Sequence, residues 1–144
     1  VGVTQVFHNH AWTTHETRLE LDLLLANTDP RYLSMGFDTG HLQLGWADPV
    51  EMFQLYGDRV KYVHFKDCNG RADIWDAIKN DEDCWTELGN GEVDLAGIVA
   101  ELDRRDYTGW LTYEQDSSKK PARESATESL AHARKLVAPY AAKK

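Results

Sequence analysis

Cysteine is scarce in this chain: Cys68 and Cys84 are the only two among 144 residues. Two are too few for a disulfide framework, and they lack CxxC spacing. A reducing cytoplasm is the expected setting. Long apolar runs are missing as well. No stretch approaches the ~18 consecutive apolar residues of a membrane span, so no membrane partner is expected. The opening Val1-Gly2-Val3-Thr4-Gln5-Val6-Phe7 has neither the length nor the basic residues of a signal peptide. It also lacks a starting Met and reads as a chain that begins inside a strand, with something upstream removed. Basic excess is the third absence. The formal net charge is −8, with no dense Lys/Arg patch. That excludes a binder driven by phosphate neutralisation, so no nucleic-acid partner is expected.

What is present suits one globular domain, 42% hydrophobic and 28% charged. A chain of this length can bury roughly 68–70% of the surface it exposes when unfolded. Four apolar segments each end in metal-competent side chains. Val3–Phe7 runs into His8-Asn9-His10, and Tyr32–Phe37 into Asp38-Thr39-Gly40-His41. Val60–Phe65 contains His64 and meets Lys66-Asp67, and Trp110–Tyr113 runs into Glu114-Gln115-Asp116. Short apolar runs that end in turn chemistry read as strands buried on both faces.

Helical patterns lie between them. His15–Asn27 carries Leu19, Leu23 and Leu24 at helical spacing. Asp48 caps a helix that starts at Pro49 and sets Val50, Phe53 and Tyr56 on one face. Asp94 caps another, with Leu95, Ile98, Val99 and Leu102 at i, i+3, i+4 and i+7. The last starts near Pro121 and presents Ala126, Leu130, Ala133 and Val137, while His15 and His132 read as surface helix residues. The order βαβαβαβα implies right-handed crossovers and a parallel sheet with helices outside. Residues 68–93 form one long connection, read as an active-site loop. Four βα units are half of a TIM barrel, which leaves two sheet edges and an inner face uncovered.

In a barrel all four strand ends point to one mouth, where active sites are built. A mixed carboxylate–imidazole set there suits Mn²⁺, Co²⁺, Zn²⁺ or Mg²⁺. Each residue also has a plainer reading. Asp38 opens ordinary turn chemistry, His64 is placed as a satisfied core histidine, and Glu114 as a solvated loop acid. Three polar groups closing one buried strand, His64, Lys66 and Asp67, are costly without a task. Trp12, Trp46, Trp75 and Trp85 are either walls of a sugar pocket or packing residues.

The motifs FHNHAW (7–12), GFDTGH (36–41), YVHFKD (62–67), GNGEVDLAGIV (89–99) and GWLTYEQD (109–116) resemble the xylose isomerase-like TIM barrel superfamily. The branch resembled is the sugar phosphate isomerase/epimerase and inosose dehydratase group. The resemblance spans residues 1–144 as the C-terminal half of such a barrel. It implies one metal ligand from each of the last four strands, with Asp38, His64 and Glu114 matching the last three. Where the family often has Glu at the first, this chain offers His8 or His10. The resemblance further implies a metal-dependent isomerase, epimerase or dehydratase of a sugar or polyol, most like inosose dehydratase. In such an enzyme a proton leaves the carbon beside a metal-chelated carbonyl. Glu114, or the family's first-strand Glu that is missing here, would be the base; Lys66 would neutralise the developing charge or protonate a leaving hydroxyl, and His41 would bind a substrate hydroxyl. His10, Trp12 and Arg71 complete the substrate contacts. Two other readings stand beside it, an apurinic endonuclease-like hydrolase and a catalytically incomplete half barrel. The charge of −8 weighs against the endonuclease. A homo-oligomer, or completion by a missing N-terminal half, is expected.

Overall fold

The computed structural model describes residues 2–13, 17–70 and 84–141. Arg71 and Trp75, both singled out above, lie outside these, as does His15. The sheet has four parallel strands in sequence order: β1 (Val6–His8), β2 (Ser34–Asp38), β3 (Val60–Phe65) and β6 (Trp110–Tyr113). Helices α1 (Arg18–Ala26), α2 (Thr39–Leu44), α3 (Pro49–Tyr56), α4 (Leu95–Arg104) and α5 (Ala122–Ala141) fill the connections. β4 (Asp67–Cys68) and β5 (Trp85–Thr86) form a two-residue antiparallel pair at the two ends of the long connection. No helix among the described residues is long and apolar enough to cross a membrane.

Strand alternation separates two faces. Met35, Phe37, Val63 and Phe65 are buried on the helix side, where Phe37 meets Phe53 of α3 edge to face at 5.3 Å. The opposite side carries Val6, Gly36, Tyr62 and Trp110. A Cβ on Gly36 would touch both Val6 and Tyr62, and Trp110 stands opposite Tyr62 in the register. The core therefore lies between sheet and helices, and the inner face is open.

Caps follow the sequence reading at two helices. The Asp48 side chain accepts from the Glu51 amide, and Asp94 from the Gly97 amide. Leu95, Ile98, Val99 and Leu102 are all buried. Two helices turn out rotated from expectation. In α1 the buried leucines are Leu21 and Leu25, while Leu19 and Leu23 are exposed. Leucine recurs around nearly the whole helix, so polar docking fixes its rotation: Asp22 accepts from the Tyr56 hydroxyl at 2.6 Å, and Arg18 pairs with Glu51 at 2.6 Å. In α5, Ala133 and Val137 pack against the core as expected, but toward its start Ser125 and Ser129 are buried, whereas Ala126 and Leu130 are exposed. The Ser129 hydroxyl accepts from the Leu88 amide at 3.2 Å, which turns that stripe toward the 87–91 segment. His132, expected at the surface, packs there too. Gly89 adopts φ +90°, and a Cβ on it would strike the His132 ring.

Candidate metal centre

Each of the four parallel strands carries one donor to the same end of the sheet. His8 closes β1, Asp38 closes β2, His64 sits in β3 opposite Asp38, and Glu114 follows β6. The level of β1 against β2 is fixed by Asn9. Its side chain accepts from the Asp38 amide at 2.9 Å and donates to the Asp38 carbonyl at 3.2 Å. An amide side chain so continues the ladder past the end of the strand. The Glu114 amide donates to the Phe65 carbonyl at 3.3 Å and does the same on the other side.

His8 Nε2, His64 Nδ1, one oxygen of Asp38 and one of Glu114 are mutually within 4.8 Å. His8 Nε2 lies 2.8 Å from His64 Nδ1, and each is 3.6 Å from Asp38 Oδ2. Glu114 Oε2 closes on His64 Nδ1. Asp38 serves two ends at once. Its Oδ1 accepts from the His41 amide at 2.8 Å and caps α2; its Oδ2 is buried without a hydrogen-bond partner. An orphaned carboxylate oxygen is costly in a protein interior. Facing two imidazole nitrogens and a second carboxylate, it fits a divalent cation. Ligands held about 2.0–2.2 Å from one ion lie at most roughly 4.4 Å apart, so the set needs only small shifts to close. His8 joins this group and His10 does not. The His10 ring stacks on His41 at 3.8 Å, and its Nδ1 lies 2.7 Å from the Ala11 carbonyl.

Lys66 is fully buried beside the cluster. Its Nζ donates to Asp116 at 2.5 Å and Glu114 at 3.2 Å, and lies 3.8 Å from Asp38 Oδ2. The indole of Trp85 covers it at 4.2 Å from the ring centroid. Thr39 fixes the backbone here: its hydroxyl donates to the Lys66 carbonyl at 2.6 Å and accepts from the Lys66 amide at 2.9 Å. Burial works against charge on Lys66, but Asp38, Asp116 and Glu114 outweigh it and raise the ammonium's pKa. Burial likewise opposes ionisation of Asp38, yet His64 and His8 hold its carboxyl well below the usual range. The Asp38 carboxylate, 3.6 Å from the ring and helped by Glu114, raises His64 against the effect of burial. His41 goes the other way. Burial pushes it down to about 3, against the pull of Asp38. Its Nδ1 accepts from the Ala11 amide at 3.2 Å, so the neutral ring carries its proton on Nε2, the nitrogen 3.5 Å from Lys66 Nζ.

Aromatic rings wall this side. Trp12, at φ 65°, stands 6.0 Å from His41 and 6.2 Å from Trp85 edge to face, and Trp85 lies 4.8 Å from His41. Trp46 is exposed after α2. Asn9, Thr39, Tyr62 and Asp116 escape the sequence reading. Asp116 alone had a signal, as a second acid two residues past Glu114. Asp67 proves to be a clasp, accepting from the amides of Cys68, Gly89, Gly91 and Val93 at 2.8–3.2 Å.

Three comparisons bear on this arrangement. A family model described as "Xylose isomerase-like TIM barrel" matches residues 1–136. An inosose dehydratase of Geobacillus kaustophilus (strain HTA426) is 36% identical over 125 residues, covering 81% of this chain and 40% of the relative. One from Lacticaseibacillus casei is 35% identical over 146 aligned positions, covering 95% of this chain and 48% of the relative. The chain thus spans about half the length of the curated relatives it matches. Among solved structures, a D-tagatose 3-epimerase-like protein superposes with a TM-score of 0.72 at 19% identity, over 99% of this chain and 49% of its own. A probable 3-DHS dehydratase from Bacillus anthracis gives 0.66 at 20% identity, over 92% and 48%.

Proposed function

This chain belongs to the xylose isomerase-like TIM barrel family, and from that premise we propose that it forms the metal-holding half of an enzyme acting on a ketose or inosose. The reading is of proton removal beside a carbonyl, most like an inosose dehydratase. The observation that carries it is the cluster of His8, Asp38, His64 and Glu114, with the orphaned Asp38 oxygen among them. A divalent ion held by that set supplies Lewis-acid polarisation of a substrate carbonyl and its neighbouring hydroxyl.

The chain's own groups do the rest. Glu114 turns one oxygen to the cluster and the other to Lys66, where it takes the proton from the carbon next to the carbonyl. The Lys66 ammonium, charged and anchored by Asp116, neutralises the negative charge that forms on the neighbouring oxygen. Return of the proton at a new position gives isomerisation or epimerisation. Its delivery to a β-hydroxyl, which leaves as water, gives dehydration. His41 offers Nε2–H to a substrate oxygen, while His10 and Trp12 flank the ring, with Arg71 a further contact to test. A reducing, cytoplasmic setting belongs to the same reading.

Candidate inososes and ketoses incubated with the protein in D₂O test this reading by NMR. Deuterium is expected at the carbon beside the carbonyl, and Glu114→Gln should slow its entry by about 10²-fold or more. No exchange with any candidate would end the proposal.

A further inference from the structure

Tyr62 lies two residues before His64 on β3, and its hydroxyl stands 3.0 Å from His64 Nε2. The two rings meet edge to face at 4.8 Å. His64 thereby has one nitrogen committed to each side. Its Nδ1 faces His8, Asp38 and Glu114, and its Nε2 faces a single phenol. We propose that Tyr62 is a positioning residue for metal binding, which accepts the Nε2–H of His64 and so fixes Nδ1 as the ligand atom. The inference rests on the metal reading of the cluster and extends it to a residue outside the ligand set.

The geometry gives Tyr62 this role for three reasons. A neutral imidazole has one proton and two nitrogens, so whichever nitrogen finds an acceptor leaves the other free to ligate. Ligating histidines depend on such an outer partner for tautomer and ring orientation. Among the described residues, Tyr62 is the partner at Nε2. The phenol is itself held, with Gly36 beside it, where a Cβ would already be in van der Waals contact with the ring. Period-two alternation puts Tyr62 and His64 on the same open face of β3, and no main-chain group of the sheet competes for Nε2 there.

Co²⁺ titration of the full chain, followed by visible absorption, tests the role. Tyr62→Phe keeps the ring and removes the acceptor, so Co²⁺ affinity should fall about ten- to one hundredfold with the thermal midpoint unchanged. His64→Ala is the reference. If it loses Co²⁺ while Tyr62→Phe binds as tightly as the wild type, the role of Tyr62 is refuted and the metal centre stands. If His64→Ala also binds normally, the cluster is not the site and both ideas fall. Nitrogen-15 NMR of the wild type gives a readout independent of any variant's folding. With Zn²⁺ bound at the cluster, His64 should carry its proton on Nε2; a proton on Nδ1 would overturn the assignment.

Discussion

Burial holds His41 at about 3, whereas an unfolded chain would protonate it near its ordinary 6.5. The unfolded state therefore binds an extra proton between those values, and stability falls as the pH drops from 6.5 toward 3. His64 is shifted upward, so its contribution is complete below its ordinary value and stays level through this window. The carboxylates with lowered values, Asp29, Asp38, Glu87, Glu101 and Glu128, begin to cost stability only near their own ordinary range, below about 5. The fall between pH 6.5 and 5 belongs to His41, since the buried Asp67 carboxyl is shifted upward and so adds stability as the pH drops. Urea unfolding should show a loss of about 2 kcal/mol across that interval, and His41→Gln should flatten the curve there. An unchanged slope in that variant would mean that the imidazole is hydrated in solution.

At the scale of elements, the 87–93 segment hangs on one carboxylate. Asp67 gathers its amides, and a Cβ on Gly91 would lie 2.2 Å from Asp67 Oδ1 and 2.5 Å from the Cys68 carbonyl. Gly91→Ala is therefore expected to cost about 1–3 kcal/mol by overpacking, measured as a shift in urea midpoint at constant slope. Wild-type stability in that variant would show that the clasp is loose. This element also marks where sequence reading ends. β3 and β6 are legible as runs of β-branched and aromatic residues, and α3 and α4 through their Asp caps. The strand ends bearing His8, Asp38, His64 and Glu114 are legible because polar groups closing apolar runs stand out. Asn9 and Asp67 are not, since, the neighbouring Cys68 amide apart, their partners are backbone amides and carbonyls more than twenty residues away, which carry no sequence signature. α2 is hidden for another reason: six residues, Gly40 among them, are too few to display a period. In α1 the leucine-rich run conceals which stripe is buried.

For the molecule as a whole, the open inner face governs behaviour in solution. Val6 is 39% and Trp110 77% exposed, and among the described residues β1 and β6 each have one unpaired backbone edge. Such edges and apolar surface recruit partners. These 144 residues alone are expected to self-associate through a second copy, as read by light scattering. A compact monomer that unfolds cooperatively would show that the face is stable when wet.

Asp38 links these scales in a way that bears on inheritance. One of its oxygens starts a helix while the other faces the cluster, so a descendant that abandoned the chemistry would not be free to discard the residue. Asparagine would keep the cap and lose the charge; most other replacements would forfeit both. Decay of function in this lineage should therefore leave a recognisable scar, with Asn in place of Asp38 well before Ala or Val appears there.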